Sequence, residues 1–170
     1  MKIVKMLLKP FSFVPALLMM YVIFSFSAQT GEVSGDLSYK ISYKIVETKN
    51  ELFNENKSPE ELSCAADGIH HYVRKAAHMT EYFLLAISVS FPLYVYGVRG
   101  IWLPLLAGMI CVGFAALDEY HQSFVAGRGP SKKDVGIDSI GVFAGIIMMQ
   151  FICFLGRITV FRPLAKKKKA

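Results

Sequence analysis

Four long apolar stretches, separated by polar segments, dominate the pattern of this chain. They cover residues 11–28, 79–98, 101–117 and 135–155. A transmembrane helix needs about 20 mostly apolar residues, so each stretch has roughly the length of a bilayer span, although the third is short. The pattern therefore predicts an all-α integral membrane bundle of four transmembrane helices, in a single domain that covers residues 1–170.

The charged residues are distributed unequally between the two sides of this predicted bundle. The side with both termini and the turn at residues 97–100 carries ten of the nineteen cations and none of the thirteen acids. These ten are Lys2, Lys5, Lys9, Arg99, Arg157, Arg162, Lys166, Lys167, Lys168 and Lys169. Because cytoplasmic flanks are enriched in Lys and Arg, both termini and the basic tail of residues 157–170 are predicted to be cytoplasmic. The polar residues at the other ends of the spans then face outward.

Composition narrows the class of protein and of partner. Hydrophobic residues make up 54% of the chain, which excludes a disordered protein. The excess cations lie on the cytoplasmic flanks without any nucleic-acid-binding motif, so we expect a membrane lipid surface and no nucleic acid as partner. The three cysteines, Cys64, Cys111 and Cys153, are scattered and lack a CxxC motif, which argues against a disulfide framework. Aromatic residues at the span ends, among them Tyr82 and Trp102, are interpreted as interface anchors.

The first span has a second interpretation. A basic start, an apolar run and the small residues around Ser25 and Ser27 also resemble a signal peptide. We interpret the segment as a retained anchor, because Ser25, Ser27 and Gln29 continue its polar end toward the outer site.

The outer loop, residues 30–75, is predicted to be partly helical. Leu37, Ile41 and Ile45 recur every four residues among charged positions, which is typical of an amphipathic helix. We interpret this helix as a solvated element of the loop, in preference to one that contacts lipid or ligand.

A second helix is predicted to begin near the end of this loop. Ser58, Pro59 and Glu61 form the sequence signature of a capping box with proline in the first turn. The helix that they start is predicted to run through Gly68 into the second span.

Two blocks of ionisable and polar residues lie at the outer ends of the spans. The first block contains Arg74, Lys75, His78 and Glu81, and the second contains Asp118, Glu119, His121, Gln122, Arg128, Asp134 and Asp138. Ionisable residues at or within a membrane are costly and usually functional. We therefore take both blocks, together with Gln29, as candidates for one outward-facing polar site.

Helical spacing indicates how the two blocks meet. Arg74, His78 and Glu81 share one helix face, and Asp134 and Asp138 share a face with Gly141. Gly145 extends that face by one turn, and small residues allow a neighbouring helix to approach closely. The fourth span is therefore predicted to carry Asp138 into the bundle interior, with its carboxylate paired to Arg74, Arg128 or a histidine. Glu81 and His121 are predicted to lie within one bridging water of each other.

The arrangement of these residues resembles the VanZ-like family of bacterial membrane proteins. The first block reads Arg74-Lys75-x-Ala77-His78-x-x-Glu81-Tyr82, and the second reads Asp118-Glu119-x-His121-Gln122-x-Phe124, followed by Arg128, Asp134 and Asp138-x-x-Gly141. The stretch Phe24-Ser25-x-Ser27-Ala28-Gln29 is similar to the end of that family's first helix. The resemblance covers about residues 11–155 and implies a small multi-pass protein of the bacterial cell membrane. It also implies a link to resistance against glycopeptide antibiotics of the lipid-bearing teicoplanin type.

Three interpretations of the site remain open. His78, Glu81, His121 and a carboxylate from Asp118, Asp134 or Asp138 offer the nitrogen and oxygen ligands of zinc or manganese, although no HExxH motif is present. We do not favour such a divalent metal. Metal-free acid–base or phosphoryl chemistry is the second interpretation, with His78, Glu81, Asp118, Glu119, His121 and Asp138 as candidate catalytic residues. Arg74, Lys75, Gln122, Arg128, Asp134 and Gln29 are then the candidate substrate-binding residues.

The third interpretation is a polar network that pins helix ends together, alone or with a binding role only. An enzyme acting on a lipid-linked phosphate or envelope precursor would lose activity when His121 or Glu81 is changed conservatively. A binding or shielding protein would depend more on shape and on Arg128. In either class, the expected partner is a membrane lipid or an amphiphilic molecule at the outer leaflet. The adjacent histidines His70 and His71 are interpreted as a loop feature and not as a ligand pair.

Overall fold

The computed structural model describes residues 9–159, with side chains up to residue 156. This part of the chain is helical and contains no strand, which confirms the all-α prediction. A 3-10 turn at Pro10–Phe13 precedes five α-helices: α1 (Val14–Ser27), α2 (Gly31–Phe53), α3 (Pro59–Val95), α4 (Trp102–Gln122) and α5 (Lys132–Thr159). Most of the basic residues that predict a cytoplasmic N-terminus and tail lie outside the described residues.

Three of the described segments are long and apolar enough to cross a membrane. They are Pro10–Ser27, Trp102–Gln122 and Lys132–Gly156, which correspond to the first, third and fourth predicted spans. The second predicted span lies in the C-terminal half of α3, where Thr80, Glu81 and Tyr82 interrupt the apolar run. With these polar residues, this segment is not among the three that are long and apolar enough to cross a membrane.

Helix α3 is the longest element and connects the bundle to the outer loop. The capping box predicted at its start is present: the Ser58 hydroxyl accepts from Glu61 N–H at 3.3 Å, and the Glu61 carboxylate accepts from Ser58 N–H at 2.8 Å. The helix then runs unbroken for 37 residues, through Gly68 as predicted. At 1.5 Å per residue it is roughly 55 Å long, well beyond the ~30 Å of a hydrocarbon core.

Helix α2 packs against the N-terminal half of α3, but not through its apolar stripe. Its buried residues are Ser38, Ser42 and Val46, and Val46 packs with Leu62 and Ala66 of α3. In the stripe of Leu37, Ile41 and Ile45, each residue remains between 45% and 48% exposed. This apolar face is therefore only partly covered by the described residues.

The outer loop is accordingly almost entirely helical, with α2 and the first half of α3 forming an antiparallel hairpin. His70 and His71, interpreted from sequence as a loop feature, both lie within α3.

The core of the bundle lies where the inner faces of α1, α3, α4 and α5 meet. It is built from Ala16, Ile23, Tyr82, Leu85, Ala86, Val89, Ala107, Cys111, Ala115, Val142 and Ile146. Helices α3 and α5 make the closest approach, as the spacing of Gly141 and Gly145 predicts. A Cβ atom on Gly141 would overlap the carbonyl of Met79, and one on Gly145 would overlap that of Phe83.

Candidate functional site

A polar cavity of about 240 Å³ opens where the middle of α3, the C-terminal end of α4 and the N-terminal end of α5 meet the loop of residues 123–131. Its walls are formed by His71, Arg74, Lys75, His78, Glu119, Gln122, Gly127, Arg128, Gly129, Asp134, Ile137 and Asp138. The structure therefore brings the two sequence blocks together in one place. Eight of the predicted site residues line this cavity.

The cations of the cavity are held in different ways. Lys75 of α3 forms an ion pair with Asp134 of α5, with the Nζ and Oδ1 atoms 3.7 Å apart. Arg74 forms no ion pair or hydrogen bond with any side chain between residues 9 and 156. The guanidinium of Arg74 is therefore available to a ligand, whereas the charge of Lys75 is partly neutralised.

Arg128 is fixed in place by neutral acceptors. Its Nη1 donates to the Gln122 side-chain oxygen and its Nη2 to the Phe26 carbonyl, both at 3.1 Å. Its Nε is buried and has no partner among the described residues. Burial lowers the pKa of Arg128, and the nearby charge of Arg74 lowers it further. Two guanidinium groups thus lie near each other at the cavity, an arrangement suited to an anionic ligand.

A lowered pKa favours the neutral imidazole form of His78 at pH 7. Burial is the largest cause of its lowered pKa, and the charges of Arg74 and Arg128 add to it. The Nδ1 atom of His78 lies 3.5 Å from a carboxylate oxygen of Glu81, one turn further along α3. This is a close polar contact, longer than an ordinary hydrogen bond.

Asp118 lies beneath the cavity and organises a buried network. Its Oδ2 accepts from Ser27 Oγ at 2.6 Å, from Gln122 Nε2 at 3.0 Å and from Tyr82 OH at 3.3 Å. The network joins α1, α3 and α4, and Gln122 continues it to Arg128. Tyr82 is fully buried, so its interpretation as an interface anchor was wrong. Asp118 lines neither the polar cavity nor the groove described below.

Glu119 and two glycines fix the loop between α4 and α5. The Glu119 carboxylate accepts from the Ser131 N–H at 2.9 Å, directly before α5 begins. The Gly31 N–H donates to the Ala126 carbonyl at 3.0 Å, and the Gly31 backbone contacts that of Gly127 so closely that no Cβ fits at Gly31. The positive φ of Gly127, 74°, suits a residue without a side chain. These contacts hold Arg128 over the cavity.

A second concavity adjoins the first and is mainly apolar. This apolar groove, about 210 Å³, lies between α2, α3 and the end of α1. Its lining includes Phe26, Leu37, Ile41, Val73 and Ala77, with Gln29 and Glu81 at its polar end. Arg74, His78 and Arg128 line both concavities and so form the boundary between them.

Two histidines differ from the sequence prediction. His121 lies outside both concavities, its ring stacked 4.4 Å from Phe24 and its Nδ1 buried without a partner in the described chain. Its proximity to Glu81 stays a prediction. His71, which sequence reasoning missed, lines the polar cavity. Its spacing from Arg74, Lys75 and His78 of three, four and seven residues was the available signal.

Asp138 is buried and lines the polar cavity, as predicted from its helix face. The expected ion pair with Arg74, Arg128 or a histidine is absent from the described residues, so that part of the prediction was wrong. Lys75 instead pairs with the more exposed Asp134, one turn earlier on α5.

The described residues contain no group of three or more His, Cys, Asp or Glu side chains arranged to hold a metal ion. The sequence hypothesis required His78, Glu81, His121 and an aspartate to converge. The ring of His121 lies against Phe24, and Asp118 Oδ2 accepts three hydrogen bonds. All three cysteines are free.

The comparison with protein families agrees with this site. The profile of the VanZ/LLP1 family matches residues 12–154. The chain belongs to the VanZ/LLP1 family. The match includes α1 through most of α5, and therefore every residue that lines the polar cavity and the apolar groove. No curated protein and no solved structure matches the chain at a significant level.

Membership in the VanZ/LLP1 family confirms the resemblance seen in the sequence blocks. The structure shows that those residues have different roles. Arg74, His78 and Arg128 line both concavities, Glu119 lines the polar cavity and also fixes a loop, and Asp118 serves a buried network. The residues of the two sequence blocks that border open space are thus fewer than the blocks contain.

Proposed function

We propose that this VanZ/LLP1 family member binds an amphiphilic molecule of the bacterial cell envelope in its polar cavity, from the outer side of a membrane that it crosses four times. The observation that carries the proposal is the position of Arg74 and Arg128 between a polar cavity and an apolar groove. A ligand with a charged part and a hydrocarbon part matches both surfaces. The resemblance to VanZ-like proteins connects this role to tolerance of teicoplanin-type glycopeptides.

The four-span topology rests on packing as well as on apolarity. The C-terminal half of α3 contributes Tyr82, Leu85, Ala86 and Val89 to the same core as the three candidate spans. Helix α3 thus runs beside those spans, and its length is sufficient for a crossing. The charge distribution of the whole sequence supports an orientation with the cavity outside and both termini in the cytoplasm.

Topology can be tested with the protein's own cysteine. Cys64 is exposed on α3 in the outer hairpin, whereas Cys111 is buried. A membrane-impermeant maleimide is expected to label the wild-type protein in intact cells, and Cys64→Ser is expected to abolish this labelling. In that background, Val98→Cys at the turn between α3 and α4 should react only after the cells are permeabilised. The reverse pattern would place the cavity in the cytoplasm and overturn the proposed orientation.

The functional role of the cavity can be separated from folding with Asp138→Asn. This change keeps the shape of the side chain and replaces a carboxyl group of the cavity wall with an amide, which cannot take up or release a proton. In a susceptible host, tolerance to teicoplanin is expected to fall about tenfold while the amount of membrane-inserted protein, measured by immunoblot, stays unchanged. Asp36→Asn on exposed α2, away from both concavities, is the control and should retain tolerance. Loss of tolerance matched by loss of protein would assign Asp138 to folding alone.

A second candidate function is supported by the contact between His78 and Glu81. A neutral imidazole beside a carboxylate, next to two guanidinium groups, is a pairing used for proton transfer at a phosphate. We infer that such an enzyme would hydrolyse a lipid-linked envelope precursor. Glu81→Gln in the same assay distinguishes the two functions. Tolerance is retained if the site only binds its ligand and lost if Glu81 takes part in proton transfer.

A further inference from the structure

The polar cavity and the apolar groove are adjoining parts of one surface. They share Arg74, His78 and Arg128, so a ligand in either concavity can contact the same three side chains. The groove leads from these residues along α2 and α3 toward Leu37 and Ile41. Such a surface suits an amphiphilic molecule whose charged group is joined directly to a hydrocarbon chain.

The two arginines at the boundary of the concavities favour an anion, while the acids Glu119, Asp134 and Asp138 also line the polar cavity. Arg74 has no ion pair or hydrogen bond among the described side chains, and every hydrogen bond of Arg128 goes to an uncharged oxygen. Neither guanidinium is neutralised by direct contact with a carboxylate, so the two repel each other at the boundary of the concavities. A phosphate between them would relieve this repulsion and accept hydrogen bonds from the N–H groups of both guanidinium groups.

The apolar groove lies at the level expected for the bilayer surface. Phe26 is near the end of the first candidate span, and Ala77 precedes the second predicted span by two residues. Beyond the groove, the exposed stripe of α2 continues through Ile45 to Leu52 and Phe53. A continuous apolar path therefore connects the lipid-facing end of α1 with the outer hairpin, and a lipid tail can follow it out of the bilayer.

We propose that the occupant is a phosphate-bearing lipid of the outer leaflet, with its phosphate between Arg74 and Arg128 and a hydrocarbon tail in the groove beside Leu37 and Ile41. The proposal rests on the proposed function, because it names the chemical class of the amphiphile and its orientation. It also replaces the interpretation of α2 as a solvated helix with one in which its apolar stripe contacts the ligand.

The headgroup part is tested by binding of 1-oleoyl lysophosphatidic acid to the full-length protein in detergent, measured by native mass spectrometry. Monoolein, which has the same tail and an uncharged headgroup, is expected to bind at least about tenfold more weakly. Arg74→Gln should weaken lysophosphatidic acid binding by about tenfold or more, and Lys40→Gln on exposed α2 should not. Arg74 is chosen because it makes no ion pair or hydrogen bond with the described side chains, and circular dichroism checks that the variant is folded.

The tail part is tested on α2 with a matched control. Leu37→Ser and Ile41→Ser are each expected to weaken lysophosphatidic acid binding by about fivefold, because each removes apolar surface from the groove. Val33→Ser is the control, since Val33 is similarly exposed on α2 but lines neither concavity. Inorganic phosphate should compete with the lipid only at far higher concentration, because it lacks the tail.

The outcomes separate this proposal from the function on which it rests. Equal binding of monoolein and lysophosphatidic acid would overturn the phosphate site but leave an amphiphile-binding protein. Binding of teicoplanin without binding of lysophosphatidic acid would overturn the lipid occupant and keep the proposed function. Equal effects of Leu37→Ser and Val33→Ser would overturn the tail path. Absence of binding for every amphiphile tested would overturn both proposals.

Discussion

Replacing Gly141 by alanine is expected to disrupt the packing of α5 on α3, although the change adds a single methyl group. A Cβ atom at this position overlaps the backbone carbonyl of Met79 and lies 3.1 Å from the Met79 Cα. A backbone atom cannot rotate away as a flexible side chain would, so the two helices must separate. Overpacking of this kind costs about 1–3 kcal/mol, and here it also displaces neighbouring Asp138. We expect a lower melting temperature in detergent and less protein in the membrane.

Gly136 provides the matched control on the same helix. A Cβ atom there meets nothing within 4 Å, so Gly136→Ala should keep or raise the melting temperature through its better helix propensity. Fluorescence-detected size-exclusion chromatography after heating measures both variants in small samples. A Gly141→Ala protein as stable as Gly136→Ala would show that α3 and α5 do not approach as closely as the structure has them.

The helical elements were predictable because each is encoded locally. The capping box at Ser58 involves residues three positions apart, and the buried face of α5 follows from the regular spacing of Asp138, Gly141 and Gly145. Both patterns can be read without knowledge of any other helix. The meeting of the two polar blocks also followed, since the turn at residues 97–100 makes α3 and α4 antiparallel neighbours.

The partners of individual side chains were not predictable in the same way. Apolarity alone suggests that Leu37, Ile41 and Ile45 are buried or solvated as a set, but the buried positions of α2 are Ser38, Ser42 and Val46 instead. Which positions of α2 are buried depends on the surface of α3 opposite. Likewise, nothing local distinguishes an interfacial tyrosine from Tyr82, which is buried because Asp118, 36 residues later, accepts its hydroxyl.

The same limitation explains the mixture of roles in the second sequence block. Asp118, Glu119, His121 and Gln122 are contiguous or nearly so, but their side chains have different partners. Asp118 accepts from Ser27, Glu119 accepts from Ser131, and the ring of His121 lies against Phe24. A motif of ionisable residues therefore includes structural members whose loss would mimic the loss of a catalytic group. Measurements on this block must separate stability from function.

Asp118→Ala is expected to have the largest effect on stability of any change in this block. It leaves the Ser27 hydroxyl, the Tyr82 hydroxyl and one Gln122 amide hydrogen without their buried acceptor. Each unsatisfied buried donor costs about 1–3 kcal/mol, so the combined loss approaches the total stability of many domains. Little folded protein should reach the membrane, and tolerance to teicoplanin should fall in proportion to it.

A double-mutant cycle with Ser27 shows whether this loss comes from the network itself. Ser27→Ala removes the shortest bond of the network, 2.6 Å from Ser27 Oγ to Asp118 Oδ2, together with the 3.2 Å bond that Gln122 Nε2 donates to Ser27 Oγ. It keeps the bonds that Tyr82 and Gln122 donate to Asp118. If Asp118 acts by accepting from Ser27, the double variant should be more stable than the sum of the single changes predicts, by about 0.5–3 kcal/mol. Melting temperatures in detergent of the wild type and the three variants give this coupling. Additive losses would mean that the bond contributes nothing, and that Asp118 stabilises the bundle through Tyr82 and Gln122 alone.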